Sequence, residues 1–149
     1  MQHFSCELTF RDLARELAIP VEIRSSRCRK YPLAVKNCIG IIDTGATSSM
    51  LTETIARDLD LIPSGNITVS GVHGTENANM YEVDVIFGNR CILRDMPVSG
   101  ANGDASFDLL IGMDILSKGE LYLFNENGKT VFRFGIPFIS DSFSDSDSD

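Results

Sequence analysis

The chain has no tryptophan, two histidines and four cysteines among 149 residues, and each scarcity removes a class of chemistry. Cys6, Cys28, Cys38 and Cys91 stand 22, 10 and 53 positions apart, with no C-x-x-C pair and no histidine at ligand spacing, which argues against structural zinc. His3 and His73 are too few and too scattered to complete such a site. Free thiols in a reducing cytoplasm are the expectation. Long apolar runs are missing as well. None approaches the roughly 20 residues needed to cross a bilayer, and the start MQHFSCELTF carries Glu7 and lacks the basic opening and long apolar stretch of an export signal. A soluble, cytoplasmic chain without membrane contact follows. Basic residues are also in deficit, 13 Lys and Arg against 21 Asp and Glu, for a net charge of -8. Four of the acids lie in the last ten residues, SDSFSDSDSD, so residues 1–139 carry 13 minus 17, or -4. A mildly acidic body offers no basic stripe to phosphates, so nucleic acid is not an expected partner.

What is present suits one globular domain: 43% of the residues are hydrophobic and 23% charged. That domain is expected over 1–139. The Ser/Asp repeat of 140–149 cannot bury apolar surface, repels itself and reads as a disordered acidic tail, without the glycine and glutamate spacing of a calcium loop.

Short alternating runs make the class mainly β. Phe4, Cys6, Leu8 and Phe10 alternate with polar neighbours, as do Ile19, Val21 and Ile23, and the two segments are expected to form an antiparallel pair with Pro20 at an edge or a strand start. Arg24, Arg27, Arg29 and Lys30 then crowd a segment read as a solvated loop. Leu33 to Ile42 is a more apolar run that leads straight into Asp43-Thr44-Gly45-Ala46. Thr52 is placed to cap a short helix through about Leu59, with Ile55, Ala56 and Leu59 on one face. Residues 67–72 and 80–87 are strand arms of a long hairpin joined by the polar stretch HGTENAN. A strand from Cys91 to Val98, a loose loop marked by Gly100 and Gly103, and an apolar strand over 107–111 follow. A short helix from Met113 to Lys118 has Asp114 at its positive end, Lys118 in its last turn and Gly119 as its stop. Glu120 to Phe124 and Thr130 to Phe134 close the domain as strands around Asn125-Glu126-Asn127-Gly128.

Asp43 is the acid that needs a reason, because a charge seldom follows an Ile-Ile pair unless something nearby uses or satisfies it. Thr44 supplies a hydroxyl that donates and accepts, and Gly45 permits a tight turn that leaves the carboxylate accessible. Ser48 and Ser49 are serine nucleophiles only superficially, since no His and acid accompany them as a motif. His73 at the expected hairpin tip is a candidate pH sensor, because unperturbed histidine side chains titrate near neutrality, but an exposed, passive histidine is the plainer reading. Met80, Tyr81 and Phe87 on the returning arm read as packing residues first.

Three segments, IGIIDTGATSS at 39–49, Gly71-Val72-His73-Gly74 in the hairpin and DLLIGMDIL at 108–116, together resemble the retropepsin-like aspartic proteases, the cellular and bacterial relatives of the retroviral enzymes. The resemblance spans roughly residues 33–124. It implies a single-lobe acid-protease fold with a flap hairpin and one or two short helices, acting as a C2 homodimer. It implies that Asp43 is catalytic, that Thr44 and Gly45 complete the catalytic loop with Thr44 locking two such loops together, and that Ala46 and the flap residues Gly71, Val72, His73 and Gly74 contact a peptide or protein substrate. The strand over 107–111 and the helix from Gly112 would buttress that loop. No metal or other cofactor is implied. Such chemistry needs two carboxylates that share a proton, and the chain has one D-T-G. Asp104, Asp108 and Asp114 lack that setting, so the second acid is expected to be Asp43 of another copy. Two departures from the retroviral pattern stand out: Thr47, Ser48 and Ser49 occupy positions where acids are common, and Gly112-Met113-Asp114 replaces Gly-Arg-Asn. The expected function is an aspartic endopeptidase; the alternative is a catalytically silent dimerisation or peptide-binding module on the same fold.

Overall fold

The computed structural model describes residues 6–27, 34–72, 74–88, 91–103 and 105–136. In chain order these form β1 (Cys6–Thr9), β2 (Ala18–Ser25), β3 (Lys36–Ile42), β4 (Met50–Thr52), α1 (Glu53–Asp58), β5 (Gly65–Gly71), β6 (Gly74–Phe87), β7 (Cys91–Ala101), β8 (Leu109–Ile111), α2 (Met113–Leu116), β9 (Glu120–Glu126) and β10 (Lys129–Gly135). The chain is mainly β with short helices, as its alternation predicts. Phe4, Cys28, Arg29, Lys30 and the acidic tail lie outside the described residues.

Seven strands run in the order β2-β3-β8-β4-β7-β6-β5, and a further β2–β6 pairing closes the sheet on itself. The long β6 makes this possible. Its first half, from Gly74 to Met80, pairs with β5, whereas Val83 to Ile86 pair with β2 and Met80 to Phe87 pair with β7. The β5–β6 hairpin therefore projects from the closed body as a two-stranded arm. The polar stretch 74–79, expected as a flexible connection, is strand: it fails to alternate because 74–77 are exposed, so no face demands apolar residues. Only Val72 and His73 separate the paired Gly71 and Gly74, and His73 itself lies outside the described residues.

Beside this body stands a three-stranded sheet, β1-β10-β9. The expected β1–β2 pair does not form: β1 pairs with β10, and β2 with β3 and β6. Pro20 falls on the part of β2 paired only to β3, where a missing N–H is tolerated. The core joins both sheets, with the fully buried Phe87 and Phe134 rings 4.9 Å apart. Gly100 belongs to β7 rather than to a loop, and α2 stops at Leu116, leaving Lys118 beyond its last turn. Arg24 is likewise no loop cation: on β2, it donates Nε–H to the fully buried Asp84 carboxylate at 2.9 Å. Arg27 remains exposed near Glu82. Among the described residues no helix is long and apolar enough to cross a membrane.

Candidate active site

The D-T-G turn owes its position to a crossing of strands. β8 lies between β3 and β4, parallel to the first and antiparallel to the second, so the segment 43–49 that links β3 to β4 must pass the end of β8. Main-chain bonds fix it there. Asp43 N–H donates to the Ile111 carbonyl at 2.9 Å, Met113 N–H to the Ala46 carbonyl at 2.8 Å, and Ala46 N–H back to the Asp43 carbonyl at 3.2 Å. The partly buried Asp43 carboxylate accepts from Gly45 N–H at 2.9 Å through Oδ1, which orients it on its own turn. β3 is less buried than its composition suggests, since Ile39 is 48% exposed and alternates with buried Cys38 and Gly40.

Gly112 shows how closely the loop and β8 approach. A Cβ there would stand 2.8 Å from the Ala46 carbonyl oxygen and 2.9 Å from that of Ser48, so a side chain would push the loop away. Ser49 fastens the same junction: only 1% exposed, its Oγ–H donates to Asp114 Oδ1 at 2.6 Å while Oγ accepts from Gly112 N–H at 2.9 Å. Asp114 Oδ2 accepts from Ser49 N–H at 3.1 Å, and Oδ1 also accepts from Ile115 N–H at 2.9 Å. Asp114 thus opens α2, as its position predicts, and in addition ties α2 to the D-T-G loop, a contact over 65 residues that sequence spacing does not reveal. Asp108 is similarly occupied, its Oδ2 accepting from Ile39 N–H at 2.8 Å. Asp104 lies outside the described residues. Ser49 is consequently a structural hydroxyl, and both histidines lie outside the described residues.

Thr52, as expected, caps α1 by accepting from Ile55 N–H at 3.4 Å, and Ile55, Ala56 and Leu59 are buried. Between the loop and the β5–β6 hairpin lies an open cleft of about 560 Å³. Gly45 and Ala46 form part of its floor, while Ile67, Val69 and Met80 come from the hairpin. Of the expected substrate residues Ala46 lines this cleft, whereas Gly71, Val72 and Gly74 sit at the hairpin tip and do not; Val72 is 99% exposed. Ile67, Val69, Met80 and Leu110 were legible only as strand residues, because which strand overhangs the loop is a matter of topology. Asp43 itself does not line this cleft; it borders a separate hollow of about 330 Å³, with Leu17, Leu123 and Asn125. Thr44 is exposed and, among the described residues, makes no side-chain hydrogen bond within its own chain. Nor do three His, Cys, Asp or Glu side chains converge as metal ligands among the described residues.

The structure is similar to the crystal structure of a retropepsin-like aspartic protease from Rickettsia conorii, with a TM-score of 0.53 at 16% identity over 85% of this chain and 90% of that one, a likeness of fold. The solution structure of simian foamy virus (mac) protease aligns with a TM-score of 0.43 at 16% identity, covering 66% of this chain and 92% of that one. No curated protein matches the chain. The family model described as "gag-polyprotein putative aspartyl protease" matches residues 36–118, more than half of the chain, and spans the D-T-G turn, the hairpin, β8 and α2. On that match and that fold, the chain belongs to the retropepsin-like aspartic protease family.

Proposed function

We propose that the protein is an aspartic endopeptidase whose active site forms between two copies, each contributing Asp43. The observation that carries this reading is a single D-T-G carboxylate oriented by Gly45 N–H on a loop pinned to β8, beside an open cleft under a projecting hairpin. A lone carboxylate is half of the chemistry. When two stand close together they cannot both ionise, so one keeps the proton and polarises the scissile carbonyl, while the ionised partner takes a proton from water as it attacks. The proton states belong to the pair. No covalent intermediate forms. The attacking water's proton moves to the ionised acid, and the departing amine is protonated by the pair in turn.

In this arrangement Thr44, exposed in one chain, faces the second loop and bonds across the junction. The β5–β6 hairpin acts as a flap, with Gly71, Val72, His73 and Gly74 at its tip reaching over the peptide and Ala46 beneath it. The cleft walls suit apolar side chains, since Met50, Ile67, Val69, Met80 and Leu110 all line it. The alternative, a silent dimerisation or peptide-binding module, leaves the oriented carboxylate without a use.

Cleavage of a random peptide library by purified protein, compared with Asp43→Asn, decides between them. The amide keeps the size and the Gly45 bond but cannot share the proton, so cleavage should disappear while circular dichroism and oligomeric state stay as in wild type. Equal cleavage by both proteins removes Asp43 from the mechanism.

A further inference from the structure

The hairpin leaves the body at a sharply defined point. Along β6, residues 74–77 are exposed, 78–80 half-buried and Tyr81 buried. At that boundary stands a side-chain cluster that the proposed catalysis does not use. Glu53, the first residue of α1, accepts the Tyr81 hydroxyl proton through Oε2 at 2.6 Å, and its Oε1 accepts from Asn79 Nδ2 at 3.4 Å. Asn79 Nδ2 also lies 3.2 Å from the Tyr81 hydroxyl oxygen, closing a triangle. Gly100 on β7 makes room for it, because a Cβ at that position would overlap Glu53 Oε1 and approach Tyr81 Cε2 to 3.2 Å. Between the two clasped residues, the Met80 carbonyl accepts from Ser64 N–H at 2.7 Å and from Ser64 Oγ at 3.2 Å, so the base of the outgoing arm is held as well.

We infer that Glu53, Asn79 and Tyr81 form a clasp that sets the angle of the flap over the cleft. These are positioning residues. Glu53 follows directly on β4, which follows the catalytic loop, and Met80, held between Asn79 and Tyr81, lines the cleft itself. The clasp therefore ties the loop side of the cleft to its hairpin side by a route independent of the β5–β6 ladder. A carboxylate does this better than a neutral acceptor, because bonds to an ionised oxygen are shorter and stronger. Burial, together with the hydrogen bond to Glu53, raises the Tyr81 hydroxyl above its ordinary range and keeps it a donor.

The role rests on the flap reading of the hairpin, and its test has an arm that does not need catalysis. In the full chain, Tyr81→Phe removes one hydroxyl and keeps the ring. Amide hydrogen exchange across residues 65–80 should then accelerate about three- to tenfold, the factor expected for losing one hydrogen bond that holds a local opening closed. Exchange in β3 and β8 should not change. Asn79→Ala should act in the same direction on a partly exposed residue that leaves the core alone. Glu53→Gln, which retains an acceptor, should restore most of the protection that Glu53→Ala loses. With a peptide substrate, Tyr81→Phe should raise KM by a similar factor while kcat changes less than about twofold, the split expected when substrate positioning and not the acid pair is disturbed. Unchanged exchange at 65–80, or an equal acceleration throughout the chain, overturns the clasp. Absence of cleavage by wild type would overturn the protease reading instead, and the exchange result would still decide the clasp.

Discussion

At the scale of single residues, the candidate site depends on buried side chains that hold the D-T-G loop from behind. Ser49 is one. Its hydroxyl joins Asp114 to Gly112 behind the loop, so Ser49→Ala strands a buried amide and shortens the supply of donors to a carboxylate. A loss of about 1–3 kcal/mol in urea-unfolding stability is expected, with cleavage reduced, whereas Ser48→Ala, at an exposed position on the cleft side, should leave stability unchanged and cleavage intact in kind. If Ser48→Ala abolishes cleavage while the fold persists, a serine mechanism returns. Cys38 gives a second test, through pH. Burial, and next the nearby Asp108 carboxylate, push its thiol up from 9.0 to about 11. A folded-state value above the unfolded one means that the native protein holds the proton longer. The resulting stability is complete below about pH 9 and is lost as pH rises through about 11. Wild type should therefore lose more stability over that window than Cys38→Ala, measured as the difference in urea midpoints at each pH. Matching slopes would show that the thiol does not govern the alkaline limb.

Elements differ in how much of their placement the sequence reveals. The unit from β3 through the D-T-G turn to α1 was legible, because a strand end, a turn glycine and the Thr52 cap are local features whose partners lie within a few residues. β8, Gly112 and the start of α2 were legible for the same reason. The pairing of β1 with β10 and the closure of β2 onto β6 were not: alternation says which face of a strand is buried but not which strand lies beside it. Asp84 was hidden for a related reason. It interrupts an apolar strand at a register shift between Val83 and Val85, and its counter-ion, Arg24, is 60 residues away on β2. The pair sits where β6 closes the barrel, with Arg24 opposite Asp84 in the β2–β6 register. Removing the cation takes away the shortest ion pair of the buried carboxylate, whose other partners include the Asp95 amide at 3.0 Å and the more distant Arg94 at 3.9 Å. Arg24→Ala should accordingly cost about 3 kcal/mol, near the lower end for breaking a buried ion pair, and should be visible as a fall in thermal midpoint. A change under about 0.5 kcal/mol would place Arg24 among the ordinary surface pairs.

On the scale of the whole molecule the count of acids is decisive. The described chain presents one D-T-G turn; Asp108 and Asp114 are engaged in holding main-chain amides, and Thr44 is exposed beside Asp43. In the proposed reading the second carboxylate is Asp43 of another chain related by a two-fold axis, so that each Asp43 meets its own copy. Dilution below the dimer dissociation constant should lower specific activity, and Thr44→Ala should raise the concentration at which this happens. Mixing is the stricter measurement. With subunit exchange verified by mass-tagged chains, a ninefold excess of Asp43→Asn protein should draw nearly all wild-type chains into heterodimers. Each heterodimer holds one carboxylate and one amide, which cannot share a proton between two acids, so activity per wild-type chain should fall to about a tenth by random pairing. Activity that stays proportional to wild-type chains in that mixture would mean that one chain carries both groups, and the search for the second acid would return to the residues outside the described structure.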